Sequence, residues 1–236
     1  MQKMRSECLW FAKWVGLTCV VIVYRTGRLM LRRNTVMRTI RTILVLLAIL
    51  LNSSGAVAQT RYFPPRSLDD DSRSDEFRSH WYSAALKALD EPSLWELSKL
   101  QKGESYRFLW LRSFHHPVAV RIDVRSDGSS QLVTKMTSGA GGYEPGQLTK
   151  STSIGLTKVQ TDRFLNKLKK HAFWELEPQN RESGGCDGAE WIIEGVRDGS
   201  YRIVLRWSPM NGPVRDLGLF MLKDLARLKV PADEIY

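Results

Sequence analysis

The stretch that most constrains this chain is Gly184–Pro209, GGCDGAEWIIEGVRDGSYRIVLRWSP. It reads as a glycine-rich loop followed by a β-hairpin, because Asp198-Gly199 is a turn signal between two apolar-rich runs. Loop length sets the register. A two-residue loop pairs Glu194 with Ile203 and Ile193 with Val204, and neither face then becomes coherent. A three-residue loop, Arg197-Asp198-Gly199, places Gly199 at the left-handed position of a bulge. It sets Glu190 against Arg206, Ile192 against Val204 and Glu194 against Arg202, while Trp191, Leu205, Ile193 and Ile203 share the other face. The three-residue register is therefore expected. The Trp191 face belongs to the core, and the Glu190, Glu194, Arg202 and Arg206 face meets water. Opposite-charge cross-strand pairs there contribute about 0.2–1 kcal/mol each.

The N-terminal quarter has a different character. Met37-Arg38-Thr39-Ile40-Arg41 is a short basic region, Ile43–Leu51 is apolar, and Asn52–Ala58 ends in the small residues Ala56-Val57-Ala58. That order is the layout of a secretory signal peptide, with cleavage expected after Ala58. Residues 1–36 are read as an upstream extension of the reading frame, 37–58 as the signal peptide, 59–74 as a flexible linker and 75–236 as the folded domain. The alternative is an uncleaved N-terminal segment that anchors the domain in a membrane.

This division changes the meaning of the charge. The whole chain carries 35 Lys/Arg against 25 Asp/Glu, a net of +10. Residues 1–58 hold nine of the basic residues and one of the acidic, leaving 26 against 24 beyond. The basic balance belongs to the address, and no basic stripe interleaved with aromatics marks the rest as a nucleic-acid binder. Of three cysteines only Cys186 lies beyond Ala58, so the domain cannot close an internal disulfide.

The domain begins with a helix over Asp75–Leu89, with Phe77, Trp81, Ala84, Ala85 and Ala88 as its apolar face. Ser93-Leu94-Trp95-Glu96 caps a second, short helix. Tyr106–Phe114 is apolar on both faces and predicts a central strand. Pro117–Arg125 alternates, and Ser126-Asp127-Gly128 as a three-residue loop sets Ile122 opposite Leu132 and Val118 opposite Met136. A short strand near Gln147–Ile154 follows the glycine-rich loop Gly139–Gly146. A capping box at Thr157–Gln160 opens a helix to about Ala172, and Gly212-Pro213 starts the last helix. The order predicts a single α+β domain, an antiparallel sheet of about five to six strands with helices packed on one face.

From about Gly103 to Ala226, the runs GAGGYEPG, FLNKL…FW, GGCDGAEWIIEGV and YRIVLRWSP resemble a family of small secreted bacterial proteins with no assigned activity. The resemblance implies export and one domain, and no chemistry.

The residues themselves offer few catalytic patterns. No HxxxH or HxH spacing suits a metal, no G-x-S-x-G appears, and the Gly139–Gly146 loop lacks the Lys and helix of a phosphate-binding loop. No catalytic residue, metal ligand or cofactor is therefore assigned. The candidate binding residues are Cys186, Asp187, Glu190, Glu194, Arg202, Arg206 and Tyr143, with Trp207 as a sheet-edge contact. The function expected is a non-enzymatic binding or interaction domain, periplasmic or secreted, taking a protein or small molecule. Nucleic acid is excluded, and membrane attachment is expected only through an uncleaved N-terminal segment. The alternative is a small hydrolase-like enzyme using Cys186 or the Asp187/Glu190/Glu194 carboxylates.

Overall fold

The computed structural model describes residues 61–100, 103–179, 185 and 187–236. In chain order the elements are helix α1 (Ser72–Ala88), helix α2 (Leu94–Lys99), strands β1 (Glu104–Arg112), β2 (Val118–Val124), β3 (Ser130–Thr137) and β4 (Leu148–Leu156), helix α3 (Lys158–Lys170), strands β5 (Ala189–Arg197) and β6 (Ser200–Trp207), and helix α4 (Pro213–Leu219). A 3₁₀ turn (Phe173–Glu175) follows α3, and a π-helical turn (Phe220–Leu225) continues α4. The strands form one antiparallel sheet in the order β4-β3-β2-β1-β5-β6. This is the α+β domain expected.

The local signals act as their chemistry dictates. The Ser93 side chain accepts from Glu96 N at the start of α2, and Thr157 with Gln160 closes a full capping box on α3. Val118 faces Met136 and Ile122 faces Leu132 across β2 and β3, as the alternation requires. β1 is buried along nearly its whole length because it lies between β2 and β5 with covered faces on both sides.

The helices divide between the two faces, where the sequence placed them on one. Tyr106, Phe108, Trp110, Trp191 and Ile193 pack against Phe164 and Leu168 of α3 and against Val214, Leu217 and Met221 of the C-terminal helix. On the reverse, Leu109, Leu111, Ile192, Ile203 and Leu205 meet Tyr82, Ala85, Leu86 and Leu89 from α1. Tyr62, Phe63 and Leu68 join that second core, so residues 61–71 are packed chain rather than the flexible linker expected of 59–74. Their Pro and Asp content suggested a tether, but three large apolar side chains outweigh it. Burying each such side chain contributes about 1.5–3 kcal/mol.

The β5–β6 register also differs from the expectation. Glu194 pairs with Ile203, Ile193 with Val204 and Arg197 with Ser200, leaving Asp198-Gly199 as a two-residue loop. Asp198 (φ 50°) and Gly199 (φ 77°) both take left-handed backbone, the requirement of the turn type that matches strand twist. The three-residue register rested on the premise that one hairpin face must meet water. Both faces are covered, so β5 carries its glutamates inside.

Candidate functional site

In the observed register Glu190 and Glu194 project toward α1, whereas Arg202 and Arg206 project to the opposite face. The four therefore form no common surface, and the expected pairs Glu190–Arg206 and Glu194–Arg202 do not exist. Arg202 donates to the Leu176 carbonyl, and Arg206 Nη2 donates to Glu177 O at 3.0 Å. Both fasten the chain before β5 along the outer strand β6.

Glu194 is fully buried and belongs to a closed network. Its Oε2 accepts from Arg107 Nε at 2.8 Å and Nη2 at 2.5 Å, and its Oε1 accepts from Tyr201 Oη at 2.9 Å. Arg107 Nη1 donates to Pro92 O at 2.6 Å and stands 3.4 Å from Glu91. Glu91 also takes Arg121 Nε at 2.9 Å and Lys135 Nζ at 3.4 Å. Burial pushes the Glu194 carboxyl up while Arg107 opposes it. Burial works against the Arg107 charge, but Glu194 and Glu91 outweigh it and hold the guanidinium protonated. Both Glu194 oxygens are occupied, and Glu91, although its Oε1 has only the Lys135 ammonium at 3.4 Å, is enclosed by three cations, so the network ties the α1–α2 connection to the sheet and offers no surface to a ligand.

Glu190 has the same orientation and a different setting. It is 4% exposed, and its cation among the described residues is Arg78 Nη1, 4.0 Å away. Burial raises its carboxyl, and Arg78 and Tyr82 counter only in part. The Tyr82 hydroxyl is buried close enough to Glu190 and Arg78 to interact with both, but it makes no hydrogen bond of good geometry.

Glu190 lines a cleft of about 480 Å³. Phe77 and Trp81 of α1 and Tyr143 of the β3–β4 loop form one side. Tyr143 packs edge-on against Trp81, with ring centroids 4.9 Å apart, and against Phe77 at 5.6 Å. Trp81 Nε1 donates to Gly142 O at 2.9 Å, and Gly142 N donates to Arg112 O at 3.0 Å, so helix, loop and sheet hold the group together. Phe77 is nevertheless 53% exposed and Tyr143 66% exposed. Trp207 and Gly185 close the far side. A glycine is needed at Gly188, because a Cβ there would lie 2.6 Å from Trp207 Cζ2 and 2.5 Å from Ser208 Oγ. At this position the richness in glycine has a packing cause: the backbone passes under the Trp207 ring.

The structure thus brings Glu190, Tyr143 and Trp207 to one cleft, and Arg202 and Arg206 lie apart from it. Cys186 lies outside the described residues. Asp187 is exposed and does not line the cleft. Phe77, Trp81 and Arg78 are the residues that sequence reasoning missed. The helical periodicity predicts Phe77 and Trp81 on the core face of α1, but that face is Tyr82, Ala85 and Leu86, with Leu89 just beyond the helix. The spacing of Tyr82, Leu86 and Leu89 at i, i+4 and i+7 was the signal that could have rotated the assignment.

The histidines serve elsewhere. His115 Nδ1 lies 2.9 Å from Tyr236 Oη, and His116 Nδ1 lies 2.5 Å from Gly139 O. His171 stands 3.5 Å from Asp216, with burial lowering its value. A second cleft, of about 600 Å³, lies by α3 and the 3₁₀ turn. Two of its charged groups are already engaged: Glu104 accepts from Tyr106 Oη at 2.5 Å, and Arg197 sits 4.8 Å over the Trp174 ring. Among the described residues no group of three or more His, Cys, Asp or Glu side chains could hold a metal ion, and no helix is long and apolar enough to cross a membrane.

Comparison with protein-family models, curated proteins and solved structures returned no match.

Proposed function

We propose that the chain is an exported, non-enzymatic binding domain, periplasmic or secreted, that takes its ligand in the cleft between α1, the Tyr143 loop and Trp207. The observation that carries this reading is the exposed aromatic group beside a buried, under-compensated carboxylate. Phe77 and Tyr143 leave more than half of their surface in water, although rings of this size contribute most to stability when buried. Glu190 is held in a setting that disfavours its charge. Apolar walls with a few convergent polar groups are the usual composition of a small-ligand site. The export part of the proposal rests on the signal-peptide layout of residues 37–58.

A catalytic reading draws on the same raised carboxyl, since a protonated glutamate can act as a general acid. It lacks the second group. Glu194 is bound to Arg107 and Tyr201, and the described histidines do not line the cleft. The binding reading therefore uses more of what is present.

Thermal-shift measurements on the purified protein test it. The probes are three panels: neutral saccharides, alkylamines with basic dipeptides, and dicarboxylates. One panel is expected to raise the unfolding midpoint of the wild type and to lose that effect in Tyr143→Ala and Phe77→Ala, which trim rings more than half exposed. No shift with any panel, or an equal shift in the variants, refutes the cleft as the site.

A further inference from the structure

The charges around the cleft narrow the class of ligand. Asp69 and Glu190 supply two carboxylates, and Arg73 and Arg78 supply two guanidinium groups. Arg78 stands between the acids, 3.6 Å from Asp69 and 4.0 Å from Glu190. Both separations exceed a formed hydrogen bond, so the Arg78–Glu190 and Arg78–Asp69 contacts leave donor and acceptor capacity turned toward one space. A net cation entering here must compete with Arg78 for both carboxylates. A net anion must approach Glu190, whose charge is already costly. The lining is electroneutral, and it offers fixed acceptors and fixed donors together.

An uncharged ligand suits such a lining if it carries groups that donate and accept at once and has an apolar face for the rings. Hydroxyls fit the first requirement, because each can donate to a carboxylate while accepting from a guanidinium, and bonds to charged partners are the stronger kind. The C–H face of a pyranose fits the second, since its weakly positive hydrogens lie well on the negative face of Phe77 or Tyr143. The cleft volume of about 480 Å³ falls in the range of about 300–1,000 Å³ found for small-ligand sites.

We infer that this cleft binds a neutral saccharide, a sugar ring stacking on Phe77 and Tyr143 while its hydroxyls are held by Arg78, Asp69 and Glu190. This ligand class rests on the binding reading above. Buried Glu190 acts as the discriminating acceptor. A hydroxyl placed against it supplies a donor that Glu190 lacks, and a ligand lacking that hydroxyl leaves the carboxylate short of a partner.

Saturation-transfer NMR on the purified protein tests this directly, with maltose, cellobiose, N,N′-diacetylchitobiose and n-butylammonium as probes. At least one disaccharide is expected to receive saturation, strongest at the ring C–H protons of one face. Its affinity should fall at least tenfold in Tyr143→Ala and in Glu190→Gln, and less than threefold in Tyr143→Phe, which keeps the ring. Circular dichroism spectra and unfolding midpoints of the variants show whether the fold is retained. Transfer to n-butylammonium alone, abolished by the same variants, overturns the saccharide and leaves the cleft as a cation site. Transfer to none of the four overturns the saccharide, and if the thermal-shift panels are also silent, the binding reading falls with it. Disaccharide binding unchanged by Tyr143→Ala and Glu190→Gln overturns the proposal by placing the sugar elsewhere.

Discussion

Glu194→Ala should be among the most damaging single substitutions in this domain. The change leaves Arg107 as a fully buried guanidinium that has lost bonds of 2.8 and 2.5 Å. It also removes the acceptor of the Tyr201 hydroxyl. Breaking a buried ion pair by deleting one partner costs about 3–5 kcal/mol. Arg107 keeps Pro92 O and the more distant Glu91, so the lower half of that range, about 3–4 kcal/mol, is expected. Against the total stability of about 5–15 kcal/mol typical of a domain, this is a large fraction. With a urea slope of about 2 kcal/mol/M, the midpoint should fall by about 1.5–2 M. Equilibrium urea unfolding followed by tryptophan fluorescence measures it. The double variant Arg107→Met/Glu194→Leu removes both charges and should recover more than half of the loss, because an apolar pair of similar volume carries no desolvation penalty. A Glu194→Ala loss below about 1 kcal/mol would refute the reasoning, since it would mean that water reaches the guanidinium. A double variant no more stable than Glu194→Ala alone would refute the desolvation part of it.

Three other outcomes follow from particular residues. Glu190→Gln should raise stability at neutral pH by about 1 kcal/mol, the scale of an under-solvated buried group, while weakening ligand binding. Burial raises the folded Glu190 carboxyl above its ordinary value of 4.5, so the folded chain holds that proton more tightly. Its contribution is complete below about pH 4.5 and is lost as pH rises through the folded value. Thermal unfolding from pH 4 to 8 should therefore show wild type and variant converging at the acid end, and a constant difference would contradict this. Gly188→Ala puts a methyl 2.6 Å from Trp207 Cζ2, which should cost about 1–3 kcal/mol and shift the indole emission; an unchanged spectrum and midpoint would count against the close approach. The proposed export predicts that N-terminal sequencing of the mature chain begins at Gln59, and recovery of Arg28 or Arg33 in it would disprove the cleavage site.

How legible the fold was depended on how local its causes are. The β2–β3 register follows from alternation on a strand with one wetter face, and from Gly128, whose φ of 78° suits a three-residue loop. The caps at Ser93 and Thr157 follow from side chains within three residues of their targets. The β5–β6 register fails the same kind of argument because its decisive partner is distant. Glu194 is satisfied by Arg107, 87 residues away in sequence, and nothing within the hairpin announces it. A glutamate on a strand then looks like a marker of the wet face. The site was legible in the same uneven way. Tyr143 and Glu190 were visible as an exposed aromatic in a glycine-rich loop and a carboxylate beside one. Phe77 and Trp81 were visible only as helix apolar residues, and their place depends on the phase of α1 against a sheet face that the sequence reading had not supplied with helices.

The two glutamates of β5 carry the functional argument by contrast. They lie on one strand and one face, four residues or about 13 Å apart, and both are nearly inaccessible. One is neutralised by bonds of 2.8 and 2.5 Å to a buried arginine and one of 2.9 Å to a tyrosine. The other has an arginine at 4.0 Å and, beside it, a tyrosine hydroxyl that offsets its burial only in part and makes no well-formed hydrogen bond. A fold able to pair Glu194 so completely has the means to pair Glu190. The carboxylate it leaves short of partners is the one that lines an aromatic cleft. A buried acceptor kept incomplete costs stability in the free protein, and a ligand of the kind proposed would offset that cost by supplying the missing donor. The same incompleteness makes the site selective, because a molecule that fills the cleft without donating a hydrogen bond leaves the penalty in place.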